Sequence, residues 1–344
     1  MREFSSVQIP RVVGVAGTPA EVPLRTSRDT RMVVITARAT VTITVAAVTA
    51  IRNLGSVFAI FDRLRLNEGG PDTGTGDPRS FAFASEFKRG SAGTSTRLSS
   101  TAVGVTNLIE RMVIPFEQLQ AVLRETRYRV ANPGVRWNLI MDVAADPAAR
   151  LVTIGGATVV VSAISLDVRQ YVAGANDALL PVYAPRYRQR ELGISGAGTA
   201  QEIELDVGRD RLRGLTILQE TATTGLVSDI INGFRLIDDE DQYIGEDGTI
   251  TWSDLAADQE FVSGGNVFAG NNGSIVHLDF AEAGRLSHTL NTPRERNLRC
   301  VFDAQPSVAG AGASRIRILS HLLSRENAVG ANGRRVVSLD NPIP

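Results

Sequence analysis

The 344-residue sequence is poor in the residues that carry most protein chemistry. Cysteine occurs once, at Cys300, which excludes an internal disulfide and any zinc site built on paired thiolates. Histidine occurs three times, as His277, His288 and His321. No two of these have the i, i+4 spacing of a metalloprotease helix. Lysine is reduced to Lys88 among 36 basic residues, so nearly all positive charge is arginine. That composition suits planar, bidentate ion pairing between subunits. Aromatic residues make up 6%, and the two tryptophans, Trp137 and Trp252, lie far apart; no stacking platform for sugars or bases is indicated. Neither sign of charge dominates. With 36 basic and 37 acidic residues the formal net charge is −1, which gives no global pull toward nucleic acid or an anionic membrane. Long apolar runs are missing too. The nearest, Met32 to Ile51, carries Arg38, Thr36, Thr40, Thr42, Thr44 and Thr49, and its alternation predicts a strand rather than a membrane helix. Met1 to Ser6 lacks the apolar stretch of a secretory signal, so none is expected.

What the sequence does contain is period-two patterning. Hydrophobic residues reach 43% and charged residues 21%, enough for a core and a length suited to two domains. From Ile35 to Val45 one face reads Ile, Ala, Ala, Val, Ile, Val and the other Thr, Arg, Thr, Thr, Thr, as in a strand with one buried face. Similar runs occupy 57–66, 107–114, 135–143, 157–168, 202–207, 212–218, 229–237, 274–280, 298–302, 315–319 and 335–339. Asp247-Gly248, Asn272-Gly273 and Asn332-Gly333 are hairpin signals. Short helices are expected at 80–87, at 116–124 and at 253–261, the last with Ser253 as N-cap. Many short strands without regular helix alternation predict an all-β protein of antiparallel sandwiches.

The two halves echo each other in order. Leu64-Arg65-Leu66 matches Phe234-Arg235-Leu236, each before an acidic, glycine-containing loop and a short helix. The segment from Asn138 to Pro147 matches that from Asn297 to Pro306, and Ser162–Leu166 matches Ser314–Ile318. Spacing between partners shrinks along the chain, as loop insertions produce. The boundary falls in the Ala173–Asp177 linker, giving residues 1–176 and 177–344, each the size of a jelly roll.

A duplicated sandwich of this length, carried by the matched 64–66 and 234–236 strands and the paired Asn138 and Asn297 strands, resembles the double jelly-roll major capsid proteins of icosahedral, often membrane-containing, DNA viruses of the tectivirus and corticovirus lineage. The resemblance implies jelly rolls standing perpendicular to a shell and trimers of pseudo-hexameric outline, with the N-terminal segment on the inner side. Implied partners are the chain itself, minor capsid or vertex proteins and an internal membrane, with no specific nucleic acid. The implied location is the virion, assembled in the host cytoplasm. Met1–Val13 fits the inner arm only loosely, having no amphipathic helix.

The search for chemistry yields little. His277 shares a strand face with Ile275 and Asp279, and no catalytic triad is supported. Gly193-Ile194-Ser195-Gly196-Ala197 misses the last glycine of a nucleophile elbow. The acidic stretch 238–247, from Asp238 to Asp247, offers carboxylates to calcium without EF-hand spacing and reads first as a solvated loop. Gly69–Asp77 is no phosphate loop, lacking the following Gly-Lys-Ser/Thr, and reads as an exposed, mobile loop. Arg186-Tyr187-Arg188-Gln189-Arg190 reads as an inter-subunit surface. Arg209, Arg211 and Arg213 read as salt-bridging or wet-face arginines, and Trp137 as core. No catalytic, cofactor-binding or metal residue is expected, and the chain reads as a self-assembling structural protein rather than an enzyme. The alternatives are a sandwich-type binding protein, either a lectin or a receptor-binding virion protein, and a hydrolase on a paired jelly-roll scaffold.

Overall fold

The structure, a computed structural model, describes residues 5–27, 30–45, 48–69, 72–89, 95–116, 136–154, 158–172, 184–208, 210–238, 242–244, 250–262, 273–280, 297–310 and 312–324. The first half contains β1 (Ser5–Gln8), β2 (Val12–Val13), β3 (Pro19–Leu24), β4 (Thr30–Ile43), β5 (Val48–Ile51), β6 (Phe61–Glu68), β7 (Asp72–Gly76), α1 (Pro78–Arg89), β8 (Gly104–Pro115), β9 (Trp137–Val143), α2 (Pro147–Leu151), β10 (Val152–Ile154) and β11 (Val159–Val172). The second contains β12 (Ala184–Ile194), β13 (Gly198–Glu204), β14 (Arg211–Thr221), β15 (Gly225–Leu226), β16 (Ile231–Ile237), β17 (Gln242–Ile244), β18 (Ile250–Thr251), α3 (Trp252–Val262), β19 (Ile275–Asp279), β20 (Arg299–Ala304) and β21 (Ser314–Ser324).

Alternation sets the layers. Along β4 the residues Val33, Ile35, Ala37, Ala39, Val41 and Ile43 are buried, because every second side chain points into the sandwich. They share a core with Val22 of β3, Leu64 and Leu66 of β6 and Leu139 and Met141 of β9. The first sandwich therefore packs the sheet β1-β11-β4-β8, with β2 also on β11, against β3-β9-β6-β7. The second packs β15-β14-β21-β12, with β19 on β14, against β13-β20-β16-β17, with β18 on β16. A two-stranded sheet of β5 and β10 lies apart.

The sequence repeat is a repeat of pairing. β6 pairs with β7 and β9, and β3 with β9; β16 pairs with β17 and β20, and β13 with β20. In the other layer β4 pairs with β8 and β11, and β1 with β11. There β14 pairs with β19 and β21, and β12 with β21. Register corrects one sequence match. Leu64 faces Met141 and Leu66 faces Leu139, while Phe234 faces Phe302 and Leu236 faces Cys300. Leu139 thus corresponds to Cys300 rather than Leu298. A slide of two residues returns every side chain to the same face, so both alignments keep the apolar pattern.

Other local expectations are adjusted. Val57–Ile60 is a 3-10 turn rather than the start of a strand. The buried Glu110 carboxylate accepts hydrogen bonds from the Ser56 hydroxyl and the Val57 N–H, both at 2.6 Å, and so satisfies its N-terminus. The cap of α3 is Thr251, whose hydroxyl accepts from the Asp254 N–H at 3.3 Å; Ser253 lies inside the helix. Of the expected Asn272-Gly273 hairpin only Gly273 lies within the described residues. At φ +87° it leads into β19, and its carbonyl accepts from Trp252 Nε1 at 2.7 Å and Gln219 Nε2 at 2.9 Å. Residues 5–13 are no detached arm: β1 and β2 both pair with β11. The expected helix after Phe116, the hairpins at 247–248 and 332–333, the strand at 335–339 and the 173–177 linker lie outside the described residues.

Candidate functional site: the joint between the two sandwiches

The two halves share a sheet. β7 runs parallel to β12, with Gly74 opposite Tyr187, and this single pairing fuses β3-β9-β6-β7 and β12-β21-β14-β15, with β19 on β14, into one nine-stranded sheet. The glycine-rich segment read as a mobile loop is therefore the weld. Its glycines serve close approach. A Cβ on Gly76 would lie 2.6 Å from Leu319 Cδ1 and 3.0 Å from Phe81 Cε2, and one on Gly74 would lie 3.2 Å from Tyr187 Cδ2. Helix α1 follows at once, and Asp77 to Ser85 are buried throughout.

The outer face of β12-β21-β14-β19 is covered by the first half. Tyr187, Leu218, Ile275 and Leu319 belong to the first half's core. This is why β14 is buried on both faces and reads Leu-Thr-Ile-Leu without alternation.

At one end of the joint sits a closed charge network. Arg79 donates to Asp77 Oδ2 at 2.6 Å, to Glu220 Oε2 at 2.5 Å and to Asn53 Oδ1 at 2.6 Å. Arg317 donates to Asp77 at 2.6 Å and to Glu191 at 3.0 Å, and lies 3.0 Å from Glu220. Arg315 donates to Glu220 at 2.6 Å and Glu191 at 3.4 Å. The acids Asp77, Glu191 and Glu220 balance the arginines Arg79, Arg315 and Arg317. Burial alone would raise the Asp77 carboxyl, but Arg79 and Arg317 outweigh it and hold the group well below the usual carboxylate range. The same contest, with Arg79, Arg317 and Arg315 opposing burial, lowers Glu220. These three arginines pair within the chain.

Two residues that the sequence did not mark complete this end. Asn53, at φ 52°, a conformation asparagine tolerates, accepts from the Leu226 N–H at 3.1 Å and donates to the Arg150 carbonyl at 2.6 Å. Arg52 donates to the Thr224 carbonyl at 2.9 Å across the halves. The turn residues in Asn53-Leu54-Gly55 were the only available signal.

At the other end the structure brings together two of the three histidines. The Thr216 hydroxyl sits 2.9 Å from His277 Nδ1 and 2.8 Å from His321 Nε2. Phe87 of α1 packs on the His277 ring at 5.2 Å and Tyr187 on His321 at 5.4 Å. Burial pushes the Tyr187 hydroxyl up to about 12, with Arg213 opposing. A cavity of about 40 Å³ opens here, lined by Phe81, Ser85, Val113, Tyr187, Arg213 and His321 among others.

The remaining candidates are scattered. Trp137 is core, edge-on to Phe116 at 5.2 Å. Gly193–Ala197 joins the end of β12 to the start of β13, and no described histidine bonds to it. Arg188 and Arg190 pair with Asp206 at 2.9 and 3.6 Å. Arg213, expected in a salt bridge or on a wet face, is buried with no ion pair among the described residues. Asp238 is buried at the end of β16, and the rest of the acids in 238–247 lie outside the described residues, as do Arg209 and His288. Among the described residues no cluster of three potential metal ligands exists, and no helix is long and apolar enough to cross a membrane.

Exposed large apolar side chains are concentrated on the first half. Val105 and Val160 flank Thr42 in one row across β8, β4 and β11, 66% and 48% exposed, with Val45 and Val103 at the same end of that face and Val13 beside Ser165.

No protein-family model and no curated protein sequence matches the chain. Solved structures do match in fold. The MCP of Sulfolobus turreted icosahedral virus has a TM-score of 0.69 at 11% identity, over 94% of this chain and 97% of that one. The capsid of the PBCV-1 virus has 0.63 at 13% identity, over 94% of each chain. The major capsid protein of bacteriophage PM2 has 0.57 at 12% identity, over 93% of this chain and 97% of that one. These likenesses span both halves, and the chain has the double jelly-roll fold that the sequence resemblance implied.

Proposed function

We propose that the chain is the major capsid protein of an icosahedral virus, a non-catalytic component of the virion. It would assemble as trimers of pseudo-hexameric outline, with the two units divided at about residues 176 and 177. The observation that carries this reading is the character of the internal joint. The β7–α1 corner of one unit sits on the outer β12-β21-β14-β19 face of the other, so equivalent units meet head to tail. Such contacts leave one unmatched surface at each end and close into rings when the rotation permits. Among the described residues, the unmatched surfaces are the β17–α3 corner and the outer face of β1-β11-β4-β8, the face that carries the exposed valines. Asp254 and Asp258 on the exposed flank of α3, and Arg111 and Arg169 on that outer face, have complementary charge. Three chains joined this way would present six sandwiches. Minor capsid proteins, an underlying membrane and assembly in the host cytoplasm are further partners and circumstances consistent with this role.

The test is the mass of the purified native protein, by light scattering, with electron microscopy of any particles. Trimers or shells are expected. Replacing both Val105 and Val160 by Asp, on exposed positions where the fold tolerates polarity, should yield folded monomers. A wild-type protein that stays monomeric at high concentration refutes the proposal.

A further inference from the structure

The cavity at the histidine end of the joint carries a positive charge that no described residue neutralises. Arg213 on β14 is 8% exposed, and its Nε is shielded from solvent and makes no hydrogen bond. A guanidinium cannot shed its proton as a buried lysine or histidine can, so a buried arginine needs a counter-charge. No carboxylate lines the cavity. Its walls are Phe81, Ala84, Val113 and Pro115, with Ser85, Tyr187, His321 and Arg213 as the polar groups. Most of those polar groups are already engaged. The Ser85 hydroxyl accepts from the Val113 N–H at 3.0 Å, and His321 Nε2 is on the Thr216 hydroxyl. The Tyr187 hydroxyl makes only a long 3.3 Å bond to the Pro115 carbonyl, leaving it the donor readiest to turn inward.

We propose that this cavity is a binding site for one small inorganic anion of the halide class, held by the Arg213 guanidinium with the Tyr187 hydroxyl as second donor. About 40 Å³ gives room for a small anion or a few waters, and the mostly apolar walls offer few further donors to an anion that needs many. The walls come from both halves, α1 and β8 on one side and β12, β14 and β21 on the other. The anion is therefore bound only when the joint is closed, and by linkage it stabilises the closed joint. The site concerns the fold of a single chain and holds whether or not the chain assembles.

The experiment is thermal unfolding of the full chain at constant ionic strength while chloride replaces gluconate, which is too large for the cavity. The wild-type midpoint should rise with chloride, by about 2 °C per tenfold increase above the dissociation constant. Arg213→Met, which keeps the packing of the stem, should abolish the response. Equal responses in both proteins, or none in the wild type, overturn the proposal. Should the variant fail to fold, crystals of the wild type grown in bromide decide the matter. An anomalous peak against the Arg213 guanidinium supports the site; a cavity holding water alone refutes it.

Discussion

Replacing Gly76 by alanine isolates the claim that the glycine-rich segment is a weld. Gly76 is not among the positive-φ positions, so alanine brings no backbone strain and the whole effect is steric. The new methyl would lie 2.6 Å from Leu319 Cδ1, 3.0 Å from Phe81 Cε2 and 3.4 Å from Gln189 Oε1, against an ordinary carbon–carbon contact of about 3.5–4.0 Å. Leu319 is fully buried and Phe81 nearly so, and of the two only Phe81 borders free space, in the small cavity beside Tyr187. Overpacking of this kind costs about 1–3 kcal/mol. Gly74→Ala meets Leu66 and Tyr187 at 3.2 Å and should cost less. Gly193→Ala on β12 meets nothing within 4 Å and should be neutral or slightly stabilising through the unfolded chain. Urea unfolding of the three variants should rank them Gly76, Gly74, Gly193 in loss of midpoint. In Gly76→Ala the single transition is also expected to broaden or split as the halves uncouple. If Gly76→Ala unfolds at the wild-type midpoint, close approach is not what requires glycine there.

The charge network and the lone thiol give further tests. Glu220→Gln leaves Arg315, Arg317 and Arg79 short of a carboxylate in a buried site and should destabilise by about 3–5 kcal/mol in the same urea assay. Asp77 and Glu220 are both lowered in the folded protein. Their stabilisation is therefore complete above the ordinary carboxylate pKa of about 4 and is lost as pH falls through their lower folded values. Stability measured from pH 7 downward should hold to about pH 4 and then drop, and Glu220→Gln should flatten that drop. A steep loss already between pH 7 and 5 would contradict the network as drawn. Cys300 is fully buried and its thiol is pushed up by burial, so a thiol reagent at pH 8 should label it only at the rate of unfolding. Rapid labelling of the native protein would place it elsewhere.

How much of this was legible in the sequence depends on which face a residue occupies. β4 is legible because one of its faces is apolar and the other polar, so Ile35, Ala37 and Ala39 alternate with Thr36, Arg38 and Thr40. The duplication was legible for the same reason, since β6 and β16 occupy equivalent half-buried positions. The joint was not. Gly74 and Gly76 carry no mark that separates close approach from flexibility, and both interpretations fit a glycine-rich string. Asp77, Arg79, Glu191, Glu220, Arg315 and Arg317 are spread over most of the chain and read locally as wet charges. Only the topology, which lays the β7–α1 corner over β12, β21 and β14, brings them to one point. Arg213 was misread in the same way: its neighbours Leu212 and Gly214 indicate a strand, and burial of the strand's second face depends on the other half.

The joint also explains why a buried face should be ionic at one end and apolar in the middle. Between β7 and β12 a single residue pair, Gly74 opposite Tyr187, makes the ladder, so backbone hydrogen bonding does little to fix how the two sandwiches sit along one another. Leu218, Ile275, Leu319 and Phe81 supply attraction, and attraction between smooth aliphatic surfaces survives a slip of a few ångströms. The network does not. Arg79 must reach Asp77, Glu220 and Asn53 at once, and Arg317 must reach Asp77, Glu191 and Glu220 at once. A slip would break several of these contacts and leave charges buried without partners, which costs far more than the same change on a surface. Replacing the whole network by apolar residues need not lower stability, but it would remove the penalty for misplacement. That penalty holds the two sandwiches in one fixed relation to each other.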